Sequence, residues 1–273
     1  MSWSALNESQ LRLLDNYLVE YVQAEEHRIA ALKLKRHLSA KLDLYDPKNV
    51  HTWAMERAKY LAHNPYSRAV ADKNQDEAKW LEARRTGVTA TEVAKLAQNR
   101  ESDRNQIMLE KLTGERSFFG NKYTAWGLER EPFIGAELFR EKGFLASDVL
   151  FHAPGEIRHL ATPDGVKQLE DGTVLISEIK TGKNDLNPAG DHFKKTSYFD
   201  QMQWQMYVMG ETCKKCFFAW EQHDDNWQVG EDGIERPAPL PLQSAWIERD
   251  KERINHLIGI ANAFLDEIEW QAA

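Results

Sequence analysis

The chain has few cysteines and no long apolar segment. These two features argue against a disulfide-stabilised protein and against a membrane-spanning one. Only two of its 273 residues are cysteine, too few for a framework of disulfide bonds, so the composition indicates a reducing compartment. No run of eighteen apolar residues occurs, which argues against a membrane-spanning helix. The first twenty residues lack the basic-then-apolar profile of a signal peptide. We therefore expect a protein of the cytoplasm.

Positive charge is also scarce. The chain carries 35 Lys and Arg against 43 Asp and Glu, a net charge of −8. Proteins that coat nucleic acid are usually basic, so any contact of this chain with DNA must be local. The first 75 residues hold 11 basic and 9 acidic residues, whereas the remainder holds 24 and 34. This change of sign indicates a boundary around residues 65–76, and we predict an extension over 1–75 and a larger domain over 76–273.

Helical and strand patterns are arranged differently in these two parts. Residues 9–38 contain neither Gly nor Pro and place apolar residues at helical spacing, which predicts a long helix, with a second over 50–62. Beyond residue 75 the patterns predict helices at 76–87, 89–98, 128–143, 197–210 and 244–270, and strands at 148–165, 173–180 and 215–222. This order predicts an α/β core with a mixed sheet flanked by helices.

Two acidic residues and a lysine fall on one predicted hairpin, "LATPDGVKQLEDGTVLISEIKTGK" at 160–183. Strand side chains alternate, so Glu178 and Lys180 project from one face of their strand. Asp164 ends the neighbouring strand, and a turn signal at 170–172 joins the two. The hairpin can therefore bring Asp164 beside Glu178.

Neighbouring carboxylates repel each other, and a divalent cation relieves the repulsion. Mg²⁺ prefers oxygen ligands and commonly uses one or two carboxylates together with substrate phosphates. Such an ion polarises a phosphoryl oxygen, and a nearby lysine stabilises the charge that builds up there. The pattern therefore suggests phosphodiester hydrolysis. Either short motif alone is more simply a surface turn or a solvated strand face, and spacing by itself leaves both interpretations open.

Five ordered matches give the chain a resemblance to a known family. "PDG" followed by "SEIK" resembles the PD-(D/E)XK nuclease signature, and the wider chain is similar to the lambda-exonuclease branch, the YqaJ-like viral recombinases. The matching segments are "WLEARRTGVTATEV", "WGLEREP", "TPDG" with "EIK", "YFDQMQWQMYV" and "IERD". They span residues 80–270, so 1–75 lie outside the resemblance. The resemblance implies a PD-(D/E)XK restriction-endonuclease-like core with an N-terminal helical extension.

The resemblance assigns roles to the hairpin residues. It implies that Asp164 and Glu178 bind the metal together with the backbone carbonyl of Ile179. It implies Lys180 as the catalytic lysine. The implied cofactor is Mg²⁺, with Mn²⁺ as a substitute.

Further roles come from the helices that match. Glu131, four residues after Gly127, corresponds to the family's helix glutamate and would complete the acidic cluster. Without the resemblance, the sequence does not separate Glu131 from Glu129. Gln201 corresponds to a glutamine that supports the site, and Tyr198 lies three residues earlier on the same helix face, where DNA contact competes with core packing.

A phosphate-binding group is implied nearer the start of the domain. Arg84 and Thr91 are expected to receive a terminal 5′-phosphate, because a helix N-terminus offers free N–H groups and an arginine adds a bidentate contact. Thr91 stands where the family usually has serine. Arg85 competes with Arg84 for this role, and Lys183 is a further candidate for phosphate contact.

The activity implied is degradation of one strand of linear duplex DNA from its 5′ end, which leaves a 3′ single-stranded tail. The family also implies a ring-shaped homotrimer around DNA, cooperation with a single-strand annealing protein, and a phage protein acting in the host cytoplasm. An endonuclease or nickase on the same core is one alternative. A catalytically inert scaffold that binds DNA ends or proteins is the other.

Overall fold

The computed structural model describes residues 6–12, 14–15, 52, 55–58, 60, 63–114 and 120–272. The chain forms two compact units. The smaller unit comprises residues up to Asn64 together with 168–173, and the larger comprises 65–167 and 174–273. In the smaller unit, Arg57 Nε lies 3.0 Å from Asp15 Oδ1. The helices predicted at 9–38 and 50–62 fall largely outside the described residues, and the extension over 1–75 stays a prediction.

The larger unit mixes helices and strands. After a short 3₁₀ helix at Pro65–Arg68, its described helices are α1 (Glu77–Thr86), α2 (Ala90–Leu96), α3 (Glu101–Thr113), α4 (Lys122–Lys142), α5 (Asp191–Lys194), α6 (Tyr198–Val208) and α7 (Lys251–Ala272). Its strands are β1 (Ala69–Asp72), β2 (Val88–Thr89), β3 (Leu145–Ala146), β4 (Val149–Ala153), β5 (Glu156–Ala161), β6 (Gly165–Gln168), β7 (Val174–Gly182), β8 (Cys213–Gln222), β9 (Gln228–Val229), β10 (Glu235–Arg236) and β11 (Gln243–Glu248). None of the described helices combines the length and hydropathy needed to cross a bilayer.

The strands form two mixed sheets and a short ribbon. One sheet has the order β1-β4-β5-β2, the other β11-β8-β7-β6-β3, and β9 pairs with β10. In the five-stranded sheet β7 and β8 run parallel, whereas β3 pairs with β6 and β8 with β11 in antiparallel fashion. The predicted α/β fold, a mixed sheet flanked by helices, is confirmed.

The two faces of β7 pack against different helices. Ile176 belongs to the main core, which also contains residues of α2, α6 and α7. Ile179 belongs to a second cluster with Ile134 and Leu138 of α4. Because side chains alternate along a strand, Glu178 shares the face of Ile176 and points toward the α6 side. The predicted alternation of this strand is confirmed.

Helix α6 lies in the interior of the unit, whereas its sequence pattern predicts an amphipathic helix. Residues 200–206 are all buried. Its polar side chains are accommodated because each finds a partner: Asp200 makes two contacts of 2.6 Å with Arg253, and Gln203 Nε2 donates to the carbonyl of Glu248 at 2.8 Å. Burial on all sides fixes the helix that carries Gln201.

The C-terminal end of α6 is capped by two arginines. Arg68 donates to the carbonyls of Val208 and Met209, and Arg249 donates to the carbonyl of Met206 at 2.6 Å. The last carbonyls of a helix have no partner within the helix, and cations stabilise that end. These contacts anchor α6 from two different parts of the chain.

The prediction of one helix over 244–270 is wrong at its start. Residues 243–248 form β11, which pairs with β8, and the helix begins only at Lys251. Asp250 marks the true start, because its Oδ1 accepts the backbone N–H of Arg253 at 2.9 Å, as an N-cap does. Pairing with a buried strand outweighs the helical pattern in this stretch.

Candidate active site

The β6–β7 hairpin places Asp164 against the middle of β7. Asp164 immediately precedes β6, and its Oδ2 accepts the backbone N–H of Ile179 at 2.6 Å. The turn between the strands contains Gly172 at a φ of 82°, a left-handed conformation that glycine adopts without strain. The two strands are neighbours as predicted, but the prediction that Asp164 ends its strand is wrong, because β5 stops at Ala161 and β6 begins only at Gly165. Asp164 still lies next to the Glu178–Lys180 segment.

Glu178 is a buried carboxylate with donors on both oxygens. Its exposed fraction is 1%. Gln201 Nε2 donates to Oε1 at 2.6 Å, and Gln205 Nε2 donates to Oε2, also at 2.6 Å. The ammonium of Lys180 contacts the same Oε1 and lies 3.2 Å from the carbonyl oxygen of Ile179. A buried charge is tolerated only when paired and hydrogen-bonded, and Glu178 meets both conditions.

Burial and neighbouring charges shift the pKa values of Asp164 and Lys180. The pKa of Asp164 lies well above its ordinary value, because the group is buried and the Glu178 carboxylate is close. Burial alone would lower the pKa of Lys180, but the charges of Glu178 and Asp164 outweigh it and raise that pKa. Lys180 is therefore an ammonium at neutral pH. Neighbouring carboxylates that repel each other are typical of a cation-binding site.

The structure distinguishes the two candidate glutamates of α4, Glu131 and Glu129, by their surroundings. Burial raises the pKa of Glu131 against the opposing charge of Lys180, and the charge of Asp148 raises it further. Glu129 instead contacts Arg236, with 2.6 Å between Oε1 and Nε. The structure thus brings Glu131, and not Glu129, into the electrostatic field of the hairpin. Its role in the acidic cluster stays a prediction.

Tyr198 and Lys183 flank the hairpin in different ways. The Lys180 ammonium lies 5.4 Å from the centroid of the Tyr198 ring, a cation–π distance. Lys183 follows the end of β7 and is about half exposed, with its Nζ 3.7 Å from Asp225 Oδ2. Tyr198 therefore touches the lysine of the cluster directly, whereas Lys183 lies beyond the strand.

The predicted phosphate-binding residues stand on α1 and α2, not on the hairpin. The Arg84 guanidinium lies 4.4 Å from the centroid of the Trp80 ring. Arg85 is exposed and pairs with Glu82, with 2.8 Å between Nη2 and Oε1. Thr91 is exposed in the first turn of α2. This is the helix start that the sequence predicts; phosphate binding there stays a prediction.

Two residues near the cluster were not anticipated. Gln205 lies four residues after Gln201, and this helical spacing is the signal that could have found it. Asp148 lies in the short loop between β3 and β4, and its Oδ2 accepts from Asn74 Nδ2 at 2.6 Å. Nothing in the sequence around Asp148 indicates its proximity to Glu131, which arises only from the fold.

The donor set fits a hard divalent cation. Asp164, Glu178 and the Ile179 carbonyl oxygen offer oxygen ligands around one peptide group, which suits Mg²⁺ better than softer metals. Within the described residues, no three Asp, Glu, His or Cys side chains are arranged to enclose a metal ion. A metal ion bound here would therefore need the backbone carbonyl and substrate oxygens to complete its ligands.

Comparison with known proteins finds nucleases of similar sequence and fold. Residues 79–212 match the sequence model of the YqaJ-like viral recombinase domain. An alkaline exonuclease from Laribacter hongkongensis is 26% identical with a TM-score of 0.51, over 71% of this chain and 93% of that one. Its structure in complex with dAMP matches equally well. A phage-related exonuclease from Haemophilus somnus is 19% identical with a TM-score of 0.45, over 63% of this chain and 83% of that one. Among curated proteins, none matches the sequence.

Fold and site together define the class, a PD-(D/E)XK-type nuclease fold. Within that class, residues 79–212 match the YqaJ-like viral recombinase domain, and the predicted resemblance to this family is confirmed.

Proposed function

We propose that the protein is a Mg²⁺-dependent exonuclease that degrades one strand of linear duplex DNA from the 5′ end. The convergence of Asp164, Glu178 and Lys180 on one peptide of β7 carries this proposal. The 26% identity to an alkaline exonuclease supports the reaction type. The complex of that enzyme with dAMP supports a site for a nucleoside monophosphate, the product an exonuclease releases.

Each side chain has a definable task in phosphodiester hydrolysis. Asp164, Glu178 and the Ile179 carbonyl would hold a divalent cation, which would supply polarisation of the scissile phosphate. Lys180, an ammonium, stabilises negative charge as it develops on the phosphate oxygens. Gln201 keeps the Glu178 carboxylate oriented by its 2.6 Å hydrogen bond. Glu131 adds negative charge at the edge of the site and so favours the cation.

Selection of the 5′ end is assigned to Arg84 and Thr91. Stacking on Trp80 orients the Arg84 guanidinium, and Arg85 forms an ion pair with Glu82. We expect Arg84→Ala to lose the preference for 5′-phosphorylated over 5′-hydroxyl ends, and Arg85→Ala to keep it. The opposite result would transfer the role to Arg85.

The finer family properties belong to the same proposal. They are a ring-shaped homotrimer around the duplex, a single-strand annealing protein as partner, and 3′ tails as the product used for recombination. A net charge of −8 is compatible with a ring, because only the inner wall needs positive charge.

The test is digestion of an end-labelled linear duplex and of a circular duplex with Mg²⁺. We expect release of the 5′ label first, no attack on the circle, and no activity after chelation. Cleavage of the circle would identify an endonuclease or nickase, and absence of any cleavage would identify an inert scaffold. Lys180→Ala should abolish turnover while binding to ends persists. Lys215→Ala, which changes an exposed strand lysine paired with Glu248, serves as the matched control.

A further inference from the structure

An aromatic and basic patch lies beyond the C-terminal ends of β7 and β8. We call it the aromatic patch and define it by Lys122, Tyr123, Lys183, His223 and Trp227. The Tyr123 ring centroid lies 5.3 Å from that of Trp227 in an edge arrangement and 5.9 Å from that of His223 in a stacked one. The backbone N–H of His223 donates to the Gly182 carbonyl at 3.1 Å, which ties the patch to the end of β7.

One carboxylate holds the patch together. Asp225 Oδ1 accepts from Tyr123 Oη at 3.2 Å and from Trp227 Nε1 at 2.9 Å. Its Oδ2 lies 3.7 Å from Lys183 Nζ. Because two hydrogen bonds and the Lys183 ammonium engage Asp225, its negative charge is partly compensated within the patch. The rings are thereby ordered before any ligand arrives, which lowers the entropic cost of binding.

The patch also has accessible groups that suit a nucleotide chain. Tyr123 is 41% exposed. The side chains of Lys122 and Lys183 are 47% and 54% exposed. Lys122 Nζ stands 4.3 Å from the Trp227 ring centroid and 4.0 Å from Glu235, the outer limit of an ion pair. His223 is buried, and its Nε2 has no hydrogen-bond partner within the described part of the chain.

The patch is connected to the proposed active site by two rigid elements. Along α4, Tyr123 precedes Glu131 by eight residues, about 12 Å of helix. Gly127 lies between them and packs on β7, since a Cβ there would be 3.2 Å from Thr181 Oγ1. Along β7, Lys183 follows Lys180 by three residues, about 10 Å. A strand leaving the site along these elements reaches the patch within a few nucleotides.

We propose that the aromatic patch binds an unpaired strand of DNA next to the active site. Aromatic side chains stack on bases of any sequence, and lysines contact the backbone, which together are the features of single-strand binding surfaces. Bases within a duplex are already stacked on each other, so the rings select an unpaired strand. This inference rests on the proposed function, for which duplex digestion generates such a strand.

The experiment measures binding in the Lys180→Ala background, so that DNA is not consumed. Fluorescence anisotropy with labelled oligonucleotides compares a single strand, a duplex with a 3′ tail, and a blunt duplex. We expect Tyr123→Ala to weaken binding of the single strand and of the tailed duplex by about five- to a hundredfold, the range for loss of one stacking ring. Lys183→Gln should weaken them less and reduce their dependence on salt.

Two controls make the result decisive. Tyr123→Phe keeps the ring but loses the hydroxyl that contacts Asp225, and it should bind nearly as the parent does. Phe133→Ala removes another exposed ring of α4 outside the patch, and it should change nothing. Equal loss for the blunt duplex, or no loss in Tyr123→Ala, would overturn the proposal. Because this measurement needs no hydrolysis, failure of the proposed nuclease activity would be visible separately in the digestion assay.

Discussion

At the scale of single residues, Glu178 is the group on which the candidate site depends. Its two oxygens take hydrogen bonds from Gln201 and Gln205, and the Lys180 ammonium contacts one of them. A carboxylate held in this way loses little orientational freedom when it binds a cation or substrate. Precise placement of such groups is what allows a protein to stabilise charge at a reacting centre.

Gln205 is predicted to be a positioning residue for Glu178. Gln205→Leu removes one donor to a buried carboxylate, a loss comparable to a charged hydrogen bond of about 1.5–3 kcal/mol. We expect kcat to fall roughly tenfold or more and the Mg²⁺ concentration for half-maximal activity to rise. Steady-state digestion at several Mg²⁺ concentrations measures both.

The matched control for this prediction lies on the same helix. Gln203 is equally buried but contacts the backbone of Glu248 and Asp250. Gln203→Leu should lower the free energy of unfolding without changing the Mg²⁺ dependence. If both variants shift the Mg²⁺ dependence equally, the effect belongs to α6 as a whole and Gln205 has no special role.

The raised pKa of Asp164 predicts that the stability of the metal-free protein depends on pH. Its pKa in the folded state is raised, so the folded state binds more protons than the unfolded state between the ordinary value of 3.8 and the raised pKa. Stability therefore falls as pH rises through that window and stays reduced above it. Asp164→Asn removes the repulsion from Glu178 and should raise Tm at pH 8 in chelator, by about 2–4 °C per kcal/mol relieved.

Two comparisons check this explanation by thermal unfolding. The gain from Asp164→Asn should shrink toward pH 4, where the native carboxyl takes up a proton. Mg²⁺ should stabilise the wild type more than the variant, because the ion binds the folded state through Asp164. A variant that is less stable than the wild type at pH 8 would show that the hydrogen bond to Ile179 outweighs the repulsion.

At the scale of secondary-structure elements, the candidate site depends on the close approach of β6 and β7. A Cβ built on Gly165 would lie 2.3 Å from Ser177 Oγ. Only glycine fits there without movement. The glycine that follows Asp164 is thus required by packing between the strands, in addition to the turn chemistry that its motif indicates.

Gly165→Ala is expected to push β6 away from β7 and displace Asp164 from Ile179. Activity should fall at least tenfold, because ångström-scale misplacement of a catalytic group has large effects on rate. Ser177→Ala in the same chain should restore part of the activity by removing the clashing hydroxyl. Gly182→Ala, at a position with nothing within 4 Å of the added Cβ, should leave activity unchanged. No rescue by Ser177→Ala would contradict the proposed clash.

The elements also show what sequence patterns could and could not predict. Helices α1, α2 and α4, with the hairpin, follow from caps, glycines and periodicity, which are local signals. The helical start assigned to 244–248 failed because β11 exists through pairing with β8, a contact distant in sequence. The position of Asp148 is unpredictable for the same reason, because its proximity to Glu131 is created only when α4 packs against β3 and β7.

At the scale of the whole molecule, the sparse positive charge bears on how DNA is bound. A chain of net charge −8 attracts duplex DNA only where basic residues lie close together, as Lys122 and Lys183 do in the aromatic patch. Each phosphate contact adds about −0.9 to the slope of log K against log salt for duplex DNA. Proteins that coat DNA make many such contacts, whereas this surface offers few.

We therefore expect a shallow salt dependence, with a slope of about −3 to −5 for a linear duplex bound by the Lys180→Ala protein. Binding to a closed circle should be weaker at every salt concentration, since the net negative charge repels duplex DNA that offers no end. Lys183→Gln should make the slope for a tailed duplex shallower by about 1. Anisotropy titrations from 50 to 300 mM NaCl measure these slopes. A slope steeper than about −8, with equal affinity for circles and linear duplexes, would indicate a broad basic surface and contradict local, end-directed binding.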